Sequence, residues 1–146
     1  MAVSFKVIDN RTSFSKKIKE LEQKLDNFRT YFLEEMATEI VFLSPVDTGT
    51  YITSHVVSTN IPGNFTSSFG KPRNQDYTTF ANEGLSNLYE DIAALPDNAN
   101  LNLVRFTNTS IHANDVEYLH GYSTYTIARS RANVIAANAA AKAESR

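Results

Sequence analysis

Apolar residues recur at steps of three and four between residues 15 and 43, which is the spacing of one face of an α-helix. Charged side chains occupy most of the intervening positions, so the pattern predicts a long amphipathic helix. At 1.5 Å per residue, a helix from Ser15 to Leu43 would be about 43 Å long. Ser44-Pro45 predicts its end, because the residue before a proline is disfavoured in the α-helical region. The apolar stripe comprises Ile18, Leu21, Leu25, Phe28, Phe32, Met36, Ile40 and Leu43.

The rest of the chain predicts a small sheet and two further helices. Alternating or β-branched runs predict strands at residues 3–7, 51–59 and 101–107. Helical spacing predicts helices at residues 81–95 and 126–142. The pattern therefore indicates an α+β fold, with a small β-sheet packed against one long N-terminal helix plus a C-terminal helix. We expect most of the long helix to lie across this sheet, with packing on another copy as the alternative for the remainder.

All 146 residues are expected to form one domain, since this length supports a single hydrophobic core. Residues 60–78 show no clear period and contain several Gly and Pro, which predicts a long loop. Residues 136–146 are rich in alanine, and we expect them to form a docking C-terminal tail.

Composition excludes several classes of site. The formal charge of −2 argues against tight, charge-driven binding of nucleic acid. The chain has no Cys, which excludes disulfides, thiol nucleophiles and Cys-type zinc sites. No apolar run has the roughly 20 residues needed to span a bilayer. The N-terminus also lacks the basic-then-apolar order of a signal peptide, so we expect synthesis in the cytoplasm and no membrane partner.

Two clusters of side chains indicate possible chemistry. Glu117 and His120 have the Glu-x-x-His spacing that places two metal ligands on one helical face, and His112 lies nearby. A small metal-dependent hydrolase using these three residues is one alternative function, although surface or interface polar side chains are the preferred explanation of them. A nucleic-acid-binding accessory protein is another alternative, because charge and stacking groups cluster in the predicted loop. Those groups are Phe69, Lys71, Arg73 and Tyr77.

Two short motifs carry a resemblance to a known family. The long helix runs into a first motif made of Pro45, Val46, Asp47, Thr48 and Gly49. A second motif follows Asn108 and contains Ala113, Val116 and Glu117, with His112 where a tyrosine is usual and Gly121 two positions later than usual. In these features the chain resembles the tail-completion, or head–tail joining, proteins of tailed bacteriophages.

The resemblance implies a non-enzymatic structural protein of the virion, without a cofactor. Members of the family form homo-oligomeric rings, commonly hexamers, at the neck. The ring joins the head connector to the tail-tube or tail-terminator proteins, and the genomic DNA passes through it without specific binding. The residues themselves are compatible with this fold, since Asp47-Thr48-Gly49 predicts a tight turn from helix to sheet and Glu117 could cap a helix or form a pair. The 61–77 loop is then the expected contact surface.

Overall fold

The computed structural model describes residues 11–45, 51–59, 77–96, 99–110, 113–119 and 121–145. The α-helices are α1 (Arg11–Leu43), α2 (Tyr77–Ala93), α3 (Thr124–Ser130) and α4 (Ala132–Glu144). The strands are β1 (His55–Ser58) and β2 (Arg105–Asn108). A 3₁₀ turn spans Leu101–Leu103, and a π-helical turn spans Asp115–Leu119. The α+β fold with a long N-terminal helix is confirmed. Within the described part of the chain, no helix is both long and apolar enough to cross a membrane.

Helix α1 is 33 residues long, which corresponds to about 50 Å. It begins at Arg11, four residues before the predicted start, and ends at Leu43 as the Ser44-Pro45 dipeptide predicts. Ser44 completes the last turn, since its amide donates to the carbonyl of Val41 and its hydroxyl donates to the carbonyl of Ile40. The end of α1 is therefore fixed by hydrogen bonds as well as by the following proline.

Strands β1 and β2 pair antiparallel, with His55 opposite Asn108 and Ser58 opposite Arg105. Both strands are shorter than predicted. Tyr51 to Thr53 form a turn closed by the Ser54 amide, which donates to the Tyr51 carbonyl at 3.1 Å. Before β2, the Asn100 side chain accepts from the Asn102 amide and caps the 3₁₀ turn. The predicted strand at residues 3–7 lies outside the described residues.

The hydrophobic core lies around α2, which packs against both α1 and β1. It contains Leu33, Ala37, Val41, Ile52, Val57, Phe80, Leu88 and Ile92. Gly84 lets α2 approach the turn before β1 closely, because a Cβ atom at this position would lie 2.4 Å from the Ile52 carbonyl oxygen. Asp91 fixes the same interface from α2, since its carboxylate accepts the Val57 amide at 3.0 Å. Helix α2 is thus held against β1 by both shape and a hydrogen bond.

The C-terminal helical region is broken at Arg131, where one continuous helix was predicted. Ser130 lies at the break, and its hydroxyl donates to the Ile127 carbonyl at 2.6 Å. Such side-chain bonds to the preceding turn compete with the helical ladder and bend helices. The break separates α3, whose Thr124 hydroxyl donates to the Leu43 carbonyl at the end of α1, from α4, which packs along α1.

Helix α4 runs antiparallel to α1. Arg131 forms an ion pair with Glu39 near one end of the contact, and Lys24 reaches Glu144 at 3.3 Å near the other. Between them, the Lys142 ammonium lies 4.5 Å from the ring centroid of Tyr31. The buried face of α4 consists of Ile135, Ala139 and Ala143. This face of the predicted docking tail is therefore occupied by α1 of the same chain.

Candidate functional site

A buried polar cluster joins the end of α1, the sheet and the start of α3. We call it the His55 cluster, and it consists of Ser44, His55, Asn108 and Tyr125. His55 is only 2% exposed, because the alternation of β1 turns it inward together with Val57. Asn108 faces it from the paired position on β2. Three separate parts of the chain therefore meet on one imidazole ring.

The hydrogen bonds of the cluster fix the tautomer of His55. The Ser44 hydroxyl donates its proton to the Ile40 carbonyl at 2.7 Å, so it accepts from His55 Nε2 at 2.8 Å. His55 Nδ1 then accepts from the Tyr125 hydroxyl at 2.6 Å and from Asn108 Nδ2 at 3.1 Å. The ring is therefore neutral, with its proton on Nε2, and both nitrogens are satisfied.

The direction of these bonds decides what the cluster can do. A serine nucleophile requires a histidine nitrogen that accepts the hydroxyl proton, whereas here Nε2 donates to Ser44. Burial lowers the pKa of His55 to about 3, so the ring stays neutral at physiological pH. The cluster is thus arranged to hold three chain segments together, and a fully bonded buried network of this kind rigidifies a fold.

Two tyrosine rings pack edge-on against the imidazole of His55. Tyr51 contacts His55 edge-on with ring centroids 5.0 Å apart, and Tyr125 does so at 5.5 Å. Burial raises the pKa of Tyr51 to about 12, and it raises the pKa of Tyr125 well above 10. The charge of Glu117 adds to both shifts. The buried Tyr51 hydroxyl has no hydrogen-bond partner of good geometry among the described residues, although Thr124 lies near it.

Glu117 caps the N-terminus of α3. Its carboxylate accepts from the amides of Tyr125 and Thr126 at 3.1 and 3.0 Å, and from the Thr126 hydroxyl at 3.0 Å. The residue at the usual capping position, Ser123, has φ of 48° and makes no capping bond with its side chain. The π-helical turn that carries Glu117 thus supplies the negative charge that a helix N-terminus favours.

The N-terminal part of α1 presents a second candidate surface. Residues 13–23, which we call the α1 overhang, are all exposed. They extend beyond the end of α4, which reaches Lys24 through Glu144. Three apolar side chains of the overhang and Leu25, which follows it, form a row that we call the apolar stripe of the α1 overhang. The exposed fraction is 65% for Phe14, 41% for Ile18, 66% for Leu21 and 50% for Leu25. The predicted stripe is therefore exposed in its N-terminal part, whereas in its C-terminal part Ile40 is buried and the other members are half-buried.

The predicted site residues fall into three groups. Pro45 is half-buried after α1, whereas Val46, Asp47, Thr48 and Gly49 lie outside the described residues. Phe69, Lys71, Arg73, His112 and His120 lie outside them as well. In the second motif, Ala113 and Val116 are half-buried and Glu117 is buried.

Tyr77 and Glu117 have structural contacts. Tyr77, predicted in the contact loop, is instead the first residue of α2, and its hydroxyl donates to the carbonyls of Val41 and Phe42 at 3.4 and 3.3 Å. The loop prediction extended too far because the helical period of α2 only becomes visible after residue 80. Glu117, predicted as a metal ligand in one alternative, uses both oxygens on α3. Among the residues that the structure describes, no group of three or more metal-ligating side chains is assembled.

Comparison with family models, curated proteins and solved structures finds no match to this chain.

Proposed function

We propose that this protein is a structural subunit of a tailed bacteriophage, and that it assembles into a homo-oligomeric ring at the neck. The ring would join the head connector to the tail, with the genomic DNA passing through its centre. Two motifs support this proposal: Pro45 to Gly49 at the end of the long helix, and Ala113, Val116 and Glu117 after β2. Their order relative to α1, the sheet and the C-terminal helices is the order that the resemblance implies.

The observation that carries the proposal is the exposed apolar stripe of the α1 overhang. Large apolar side chains in a contiguous row on one helix face are typical of interaction surfaces. Burying the exposed part of each would contribute on the order of 1 kcal/mol per side chain. Contact with identical copies would bury them all, as a ring subunit requires.

The His55 cluster fits the same role. It joins the C-terminal end of α1 to the sheet and to α3, and each of its bonds connects segments that are distant in sequence. A rigid joint at this position fixes the direction in which α1 leaves the domain. Repeated identical contacts around a ring require such a fixed direction, because small angular errors would prevent closure.

The proposal is tested by measuring the mass of the purified chain over a concentration series, with electron micrographs at the highest concentration. We expect closed rings of uniform copy number, with a central opening wide enough for duplex DNA. We also expect no retention of duplex DNA at physiological salt, since a chain of net charge −2 offers little attraction for phosphate. A strictly monomeric protein at every concentration would contradict the proposal.

A further inference from the structure

The apolar stripe of the α1 overhang follows a heptad pattern. Phe14, Ile18, Leu21 and Leu25 are separated by four, three and four residues, and Phe28 and Phe32 continue the alternation. In heptad notation, Ile18 and Leu25 occupy a positions, and Phe14 and Leu21 occupy d positions. A strict alternation of this kind favours packing against a helix with the same period. The partner surface indicated by the spacing is therefore another α-helix.

We call this row of a and d residues the seam. Towards the C-terminus of α1, other residues of the same chain cover it. Phe28 and Phe32 stack with ring centroids 6.0 Å apart, and Phe32 packs against the hydrophobic core. From Leu25 towards the N-terminus, the seam is exposed. The domain's own packing thus ends where the exposed heptads begin, and the free part of the seam projects beyond the domain on a continuous helix.

The charges that flank the seam indicate how a second helix would be oriented. Lys17 occupies a g position and Glu22 occupies the following e position. In a parallel, in-register pair, each g residue faces the next e residue of the partner, which would bring Lys17 beside Glu22 of the neighbouring copy. In an antiparallel pair, g positions face each other, which would bring Lys17 towards Lys24. Neither Lys17 nor Glu22 forms an ion pair with another described residue.

We propose that the occupant of this seam is the same segment of a neighbouring copy, packed in parallel and in register over Phe14 to Leu25. This inference rests on the proposed self-assembly and adds its geometry. In a parallel, in-register pair, a local twofold axis runs along the seam and places identical residues of the two copies at the same height. This local axis lies beside the central opening of the ring, so the overhangs would project from the assembled domains in pairs and leave the path of the DNA free.

The absence of Cys from the chain allows a direct test of orientation by single substitutions. Phe14→Cys and Leu25→Cys place one thiol at each end of the seam, and Gln23→Cys places one at the outward f position as a matched control. Under mild oxidation, we expect Phe14→Cys and Leu25→Cys each to cross-link with itself, because the Cα atoms of facing seam residues come within disulfide range. We expect Gln23→Cys to cross-link at least roughly tenfold less.

Oxidising mixtures of the Cys variants distinguishes parallel from antiparallel packing of the overhangs. Preferential linkage of Phe14→Cys to Leu25→Cys would overturn the parallel arrangement and indicate an antiparallel one. Rings that form normally while all three variants cross-link equally weakly would overturn the seam but leave the proposed assembly intact. A monomer at all concentrations, with Leu25→Cys protected from thiol reagents, would overturn both proposals and indicate that the chain covers its own stripe.

A charge-reversal cycle tests the flanking pair independently. Lys17→Glu and Glu22→Lys should each weaken association, roughly fivefold if the pair contributes about 1 kcal/mol. The double variant should restore it, because the pair is re-formed with opposite polarity. Additive weakening in the double variant would show that these two residues do not face each other across copies.

Discussion

His55 and Ser44 lie eleven residues apart in the sequence and are joined in the interior by a hydrogen bond of 2.8 Å. The bond runs from the ring to the hydroxyl, because the hydroxyl proton is already donated to Ile40. A histidine held in this way serves as a neutral donor and acceptor at the same time. Its protonation would place a proton on Nδ1, opposite the amide donor of Asn108.

The stability of the fold should therefore fall in acid. The pKa of His55 is about 3 in the folded protein, against 6.5 as the ordinary value. Between these values the unfolded chain binds a proton that the folded chain does not, so stability decreases as pH falls from 6.5 towards 3. The slope approaches about 1.4 kcal/mol per pH unit.

Urea unfolding at pH 7, 5 and 4 measures this slope, and His55→Gln is the control, since an amide can donate and accept without titrating in this range. We expect a shallower slope for the variant, with only the carboxyl groups contributing. Equal slopes for both proteins would show that His55 gains a proton while folded.

Loss of the hydroxyl group should change the stability of the fold in opposite directions for the two tyrosines that contact His55. Tyr125→Phe removes the 2.6 Å bond to His55 Nδ1 and should lower the free energy of unfolding by about 1–2 kcal/mol. Tyr51→Phe removes a buried hydroxyl that lacks a well-formed bond to any described residue, so it should be neutral or stabilising. Thermal unfolding of the two variants gives the comparison, and equal destabilisation would mean that the Tyr51 hydroxyl is bonded in solution.

Local patterns predicted the long helix and its end, because periodicity and the restriction before proline act over a few residues. They overestimated both strands. Tyr51 to Thr53 is β-prone in composition and Leu101 to Leu103 alternates apolar and polar residues, but both segments are closed into turns by hydrogen bonds. The His55 cluster was not predicted. Its bonds span 11, 53 and 70 positions, and no spacing rule links residues at such separations.

Glu117 should matter for α3 rather than for the whole core. Glu117→Ala removes three accepted hydrogen bonds and should cost about 1–3 kcal/mol, whereas Glu117→Gln keeps one oxygen acceptor and should cost less. Hydrogen exchange provides the readout, with faster exchange at the amides of Tyr125 and Thr126 expected in both variants. Unchanged exchange at these two amides in Glu117→Ala would refute the capping role.

Gly84 offers a test of the contact between α2 and the turn before β1. Alanine normally favours a helix over glycine by about 1 kcal/mol, but Gly84→Ala would place its Cβ against the Ile52 carbonyl. We expect net destabilisation of about 1–3 kcal/mol, because the obstacle is backbone. Ser86→Ala, at an exposed position on the same helix, should instead stabilise slightly. Chemical denaturation of both variants distinguishes the close approach from helix propensity.

Two leucines of α1, one in the core and one in the exposed stripe, should separate stability from assembly. Leu33 is 5% exposed and belongs to the core, so Leu33→Ala should lower the free energy of unfolding by about 2–5 kcal/mol. Leu21 is 66% exposed, so Leu21→Lys should change the unfolding of the dissociated chain by less than about 0.5 kcal/mol. Self-association should be weakened by Leu21→Lys and not by Leu33→Ala, since a lysine at the centre of the exposed stripe opposes its burial. Sedimentation velocity and urea unfolding at a dissociating concentration measure the two effects, and a large loss of monomer stability in Leu21→Lys would show that the overhang is covered by its own chain.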